Sequence, residues 1–145
     1  MDILTAEMIK LQAKSNHKDD AIRQAGELLV KGKCADPAYV DGMLAREQTM
    51  STYLGNGVAI PHGQYDDLAL IRRTGISVLQ VPEGVEWEPG EMVYLVIGIA
   101  AQSDEHVGVL SRLAEVIEDE ETTRQLVQTT DPVTIVECLN RPPEE

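Results

Sequence analysis

Two apolar runs constrain this chain more than any other feature. Residues 75–81 (GISVLQV) and 92–100 (MVYLVIGIA) hold no charged side chain and do not alternate polar with apolar, which is the pattern of strands buried on both faces of a sheet. Such strands need a helical layer on each side, and the flanking sequence supplies it. Ser15 or Asn16 can cap a helix whose apolar positions Ile22, Ala25, Leu28 and Leu29 keep helical spacing until Gly32. Asp36-Pro37 opens a second, with Val40, Met43 and Leu44 on one face and an end near Arg46 and Glu47. Ser103 caps a third, with Asp104 and Glu105 in its first turn and a buried stripe of Val107, Leu110, Leu113, Ala114 and Ile117. Shorter helices follow over residues 119–128 and, after Asp131-Pro132, over 132–139. Short strands are expected over 9–12 and over 58–60, the latter stopped by Pro61. Strands interleaved with helices make the expected fold an α/β layered one. Without an internal repeat or linker, residues 1–145 read as a single domain, with about 140–145 a polar C-terminal tail.

Composition excludes several function classes. The chain has no phenylalanine and one tryptophan, so the core is aliphatic and base-stacking platforms are ruled out. Of the formal charge of −13, almost all belongs to the second part: residues 1–82 hold 9 basic and 10 acidic groups, residues 83–145 hold 3 and 15. That field repels nucleic acid and anionic lipid and steers a basic protein toward it, besides keeping a small domain soluble. Cys34 and Cys138 lack any zinc-like or CxxC spacing and read as reduced structural thiols. No leader pattern opens the chain and no run is long enough to span a bilayer, so the expectation is a soluble, cytoplasmic protein.

The chemistry-bearing motifs thin out quickly. His17, His62 and His106 form no HxH, HxxxH or HExxH pair, and no metal site is expected. GxSxG is absent. Gly55 and Gly57 do not complete GxGxxG, because Ile60 takes the last place, and a P-loop is missing. His17 lies in a polar helix start and reads as solvated. His62, between Pro61 and Gly63 at the end of a short strand, is displayed where α/β sheets bind ligands, unless it merely closes a turn. His106 opens a helix directly after the most apolar strand, where free N–H groups suit an anion, unless it only decorates that turn. If the two strands are near neighbours, the imidazoles converge. Arg46 is the best-placed cation, delivered by the second helix; its plain alternative is a helix C-terminal residue paired with the dipole. Two rings, an arginine and a helix N-terminus suit nucleophilic phosphoryl transfer.

Glu47, Leu54-Gly55 and Val58-Ala-Ile-Pro-His-Gly63 together resemble the active-site histidine signature of enzyme IIA domains of the sugar phosphotransferase system, fructose–mannitol class. Arg46-Glu47-Gln48, Val81-Pro-Glu-Gly-Val85, Leu95-Val-Ile-Gly-Ile-Ala-Ala101 and Glu105-His106 are more similar to its mannitol branch than to the fructose or nitrogen-regulatory branches. The resemblance implies a mixed central sheet of about five strands with helices on both faces. It implies that His62 is phosphorylated, through Nε2, that His106 stabilises the phosphoryl group by a hydrogen bond, and that Arg46 neutralises its charge. Asn56, in the adjacent loop, is a further candidate for binding. The donor it implies is the phosphorylated carrier HPr. The acceptor is a cysteine of a cognate enzyme IIB, often joined to a membrane enzyme IIC, and neither Cys34 nor Cys138 resembles that acceptor. No cofactor is implied. The transported compound would be mannitol or a related polyol. The alternative is a regulatory enzyme IIA of the nitrogen type, which controls partner proteins through the same histidine; a non-phosphorylated adaptor is a third class.

Overall fold

The computed structural model describes residues 3–102 and 104–140, and in it the two apolar runs pair with each other. The first belongs to a 14-residue strand, β4 (Gly75–Glu88), and the second to β5 (Glu91–Ala100); the two run antiparallel through a turn at Pro89-Gly90. Three short strands complete the sheet. β1 (Ile9–Lys10) lies parallel to β4, β3 (Val58–Ala59) lies parallel to β5, and β2 (Tyr53–Gly55) pairs antiparallel with β3. The order is β1-β4-β5-β3-β2, a mixed five-stranded sheet with the two apolar runs inside it, as expected.

Among the described residues five α-helices flank it: α1 (Lys18–Lys31), α2 (Ala38–Thr49), α3 (His106–Glu118), α4 (Glu120–Gln128) and α5 (Pro132–Asn140). Alternation along β4 shows which helix covers which face. The Ser77 hydroxyl donates to the Ala25 carbonyl of α1 at 2.7 Å, while Gln80, of opposite parity, donates to the Leu126 carbonyl of α4 at 3.0 Å. Every residue from Leu95 to Ala100 is buried, because both faces of β5 are covered. Each buried Leu, Ile or Val in this layer contributes about 1.5–3 kcal/mol. Among the described residues the core holds two aromatic side chains, Trp87 and Tyr39, 2% and 3% exposed, and each polar tip has a partner: Glu47 for the indole and the Ile99 carbonyl for the phenol.

Several local expectations need correction. The cap of α1 is His17, whose Nδ1 accepts from the Asp19 amide at 3.1 Å; Ser15 instead bonds Asp20 and the His17 carbonyl. β1 stops two residues early because Gln12 takes a left-handed φ of 53°. α2 continues to Thr49, since no glycine or proline stops it near Arg46 and Glu47. Ser103 lies outside the described residues, and Asp104 and Glu105 precede α3 rather than occupy its first turn. The buried stripe of α3 is Val109, Leu113 and Ile117, a strict four-residue spacing; Val107 and Ala114 point outward. Asn140, expected in the polar tail, ends α5 and bonds the backbone of Ile3 and Leu4; residues 141–145 lie outside the described residues.

Gly98 shows how tightly α1 sits. It pairs with Ser77, and a Cβ there would lie 2.6 Å from the Ser77 hydroxyl and 3.3 Å from the Ala25 carbonyl. Gly98→Ala must displace the Ser77 side chain and its bond to α1, so urea unfolding should show a loss of about 1–3 kcal/mol. An unchanged midpoint would mean that α1 is not seated so closely.

Candidate active site

The site exists because β3 and β5 are parallel neighbours in unbroken register. Val58 faces Leu95, Ala59 faces Val96 and, past the strand end, His62 faces Ile99. Pro61 cannot donate to the ladder, yet its carbonyl accepts from the Ile99 amide at 2.9 Å, which keeps the chain on β5 up to His62. Parallel strands finish on the same edge of a sheet. His62 leaves β3 there, and His106, the first residue of α3, follows β5 to the same edge. The two ring centroids lie 5.3 Å apart with planes at 64°, an edge-to-face arrangement.

The orientation of His62 is set by its own backbone. Its Nδ1 lies 2.9 Å from the Ile60 carbonyl, and a carbonyl only accepts, so the proton sits on Nδ1 and the lone pair on Nε2. Burial, above all, holds the ring pKa below its ordinary 6.5, and the charges of Arg46 and His106 act the same way, against the opposing pull of the Ile60 carbonyl and Glu47. The ring is therefore neutral at neutral pH. A neutral imidazole with a free, fixed Nε2 is a nucleophile.

His62 and His106 open into a cleft of about 420 Å³ that is also lined by Arg46, Tyr39, Thr49 and Gln64. Among the described residues no carboxylate lines it, although the chain carries a net charge of −13. The acid nearest in sequence to His106, Glu105, is bonded to the Thr74 hydroxyl and lines a separate hollow. Arg46 is both a helix-end residue and a lining residue of the cleft. It stands in the last turn of α2 and donates to the Met50 carbonyl at 2.7 Å, while its side chain also lines the cleft. A guanidinium has five N–H donors, so a single carbonyl leaves capacity for an anion.

Asn56 is not brought to the cleft. It sits in the β2–β3 turn with φ 53° and its amide donates to the Ile117 carbonyl of α3 at 2.8 Å. Two buried residues of α2 support the site: Tyr39, which the residue pattern did not single out, and Glu47, which entered only as part of the signature. The Tyr39 hydroxyl donates to the Ile99 carbonyl at 2.8 Å and accepts from the Gly63 amide at 2.9 Å, clamping the chain just past His62 onto β5. Burial pushes the phenol up to about 12, so it stays a donor. Gly63 is required by that contact, because a Cβ would lie 2.5 Å from the tyrosine ring. Glu47 holds the loop on the other side of His62 through Thr52. Nothing in the residue pattern distinguishes Tyr39 from an ordinary apolar position of a helix. Among the described residues, no three His, Cys, Asp or Glu side chains group as a metal site, and no helix is long and apolar enough to cross a membrane.

Residues 2–141 match the family model described as phosphoenolpyruvate-dependent sugar phosphotransferase system, EIIA 2. The chain belongs to this enzyme IIA family. The mannitol-specific phosphotransferase enzyme IIA component of Geobacillus stearothermophilus is 39% identical over 97% of both chains. A multiphosphoryl transfer protein of Xanthomonas campestris is 49% identical over 94% of this chain. The chain spans only 16–31% of the length of the first such curated relatives. Among solved structures, the complex of the mannitol enzyme IIA with phosphorylated enzyme IIB from Escherichia coli superposes with a TM-score of 0.88, at 41% identity over 94% of this chain and 96% of that one.

The tautomer and the lowered pKa of this enzyme IIA domain are open to measurement. In a nitrogen-detected NMR titration, His62 should show a protonated Nδ1, a bare Nε2 and a midpoint below 6.5. Because the native pKa is the depressed one, the stabilising effect of the neutral ring is complete above 6.5 and is lost as pH falls through the native value. A midpoint at or above 6.5 would contradict the desolvated setting of the ring.

Proposed function

We propose that this enzyme IIA domain is a cytoplasmic phosphocarrier that takes a phosphoryl group from phosphorylated HPr onto His62 and hands it to a cysteine of a cognate enzyme IIB, serving uptake of mannitol or a related polyol. The observation that carries this reading is the cleft itself: two imidazoles 5.3 Å apart and an arginine, with no carboxylate lining it among the described residues. The mannitol-specific relative and the complex with phosphorylated enzyme IIB support the partner and the sugar class. Transport is favoured over a purely regulatory role by the same likeness.

The transfer follows from the ring geometry. Nε2 of His62 attacks phosphorus in line as the bond to the donor nitrogen breaks, and the donor ring leaves with its electron pair as a neutral imidazole. His62 then carries phosphate on Nε2 and a proton on Nδ1, a cationic ring whose charge the Ile60 carbonyl shares. That species is a good phosphoryl donor, because the ring can leave neutral when a thiolate attacks. His106 donates to the phosphoryl oxygens, Arg46 offsets their charge, and the positive end of α3 adds to both. The grip is modest, as a relay between near-equal partners demands. Tyr65, Met50 and Val107, 85%, 66% and 73% exposed, border these residues in sequence and give a docking partner apolar contact.

With phosphoenolpyruvate, enzyme I and HPr supplied, the native chain should take up acid-labile label and His62→Ala none. Normal labelling of that variant would end the assignment. His106→Ala should still be labelled on His62, but pass the group on roughly tenfold to a hundredfold more slowly, less than the loss from a closed oxyanion hole. An unchanged onward rate would remove His106 from the mechanism.

A further inference from the structure

Glu47 is 4% exposed at the end of α2 and does not line the cleft. Its carboxylate collects donors from three parts of the fold. The Thr52 amide reaches both oxygens at 3.2 and 3.1 Å, the Thr52 hydroxyl bonds Oε1, and the Trp87 indole of β4 donates to Oε2 at 3.0 Å. Lys18, at the start of α1, stands 3.6 Å from Oε2. Desolvating a carboxylate costs more than packing an apolar side chain of the same size, so stability alone does not account for it. The bonds beyond Thr52 do. The Thr52 carbonyl accepts from the Ile60 amide at 3.0 Å, and the Ile60 carbonyl in turn holds Nδ1 of His62 at 2.9 Å. A continuous path of hydrogen bonds and two residues of backbone therefore joins a buried anion to the attacking ring.

We infer that Glu47 is a positioning residue for phosphoryl acceptance: acting through Thr52 and Ile60, it fixes the Nδ1–H tautomer of His62 and aims Nε2 into the cleft. The inference rests on the proposed role of His62. A glutamine at this place presents an NH₂ group to partners that are themselves donors, so the Thr52 loop loses its anchor and the Ile60 carbonyl its fixed position. Tyr39 still clamps Gly63 on the other side, so the ring stays in the cleft but is no longer held in one orientation.

Four chains, native, Glu47→Gln, Thr52→Val and Thr52→Ser, are compared for phosphoryl acceptance from phosphorylated HPr and for the nitrogen spectrum of His62, with the indole N–H signal of Trp87 reporting whether the carboxylate contact persists. For Glu47→Gln, kcat should fall at least tenfold with the apparent KM for phosphorylated HPr unchanged, and His62 should show both tautomers. Thr52→Val, which removes one bond and keeps the amide, should move the same way by at least threefold. Thr52→Ser, which keeps the hydroxyl, should restore native behaviour. A native rate, or a slower rate with the single Nδ1–H tautomer retained, overturns the inference. If Glu47→Gln does not fold, Thr52→Val decides by the same readouts. Failure of the native chain itself to be labelled on His62 would instead count against the phosphocarrier reading.

Discussion

Everything at the active edge depends on the parallel pairing of β3 with β5. β3 is two residues long and could not hold a position alone. Its register against β5 passes unshifted from Val58 to His62, carried across Pro61 by the proline carbonyl. With that register, the chain after β3 and the helix after β5 must emerge side by side. A shift of one residue would turn His62 toward the other face of the sheet and away from His106. The surrounding contacts defend the register: Tyr39 ties Gly63 to Ile99, and Glu47 ties Thr52, which ties Ile60. Both anchors come from α2, the helix that also delivers Arg46.

The proposed phosphoryl transfer requires a strongly acidic chain to keep its own charge away from the reacting group. Here the separation is made by placement. The described acids of residues 83–137 lie exposed or half-buried along strands, helices and the turns between them, Glu105 is turned to Thr74, and Glu47 is neutralised by Lys18 and by N–H and O–H donors. Among the described residues, those lining the cleft are neutral or cationic. Burial lowers the proton affinity of His62, so the lone pair is available without a dedicated general base. In the proposed relay, the same features that suit the ring to accept a phosphoryl group suit it to pass the group on.

Much of this was legible in the chain of residues. The two apolar runs announce interior strands, and Asp131-Pro132 announces α5. Pro61 and Gly63 mark His62 as displayed rather than packed. His106 is marked by its place at a helix start, and Arg46 by the reach of α2. Other features were hidden for identifiable reasons. Tyr39 and Glu47 have partners far off in sequence, Ile99 and Trp87 among them, and no periodicity encodes such pairs. Val107 and Ala114 look like core residues by type, but α3 buries a narrow stripe against the sheet edge and leaves them outside. Asn56 is near His62 in sequence yet bonds the far end of α3, because the hairpin turns it away from the cleft.

The sequence by itself determined the kinds of element, the buried strands and the family signature, all of which rest on local pattern: hydrophobic period, caps, prolines and a motif of contiguous residues. Only the tertiary structure decided that two imidazoles 44 positions apart share one cleft, which nitrogen of His62 is bare, and why a carboxylate is buried behind it. Those outcomes are set by strand order, register and hydrogen bonds between distant segments, and such contacts exist only once the sheet has closed around β5.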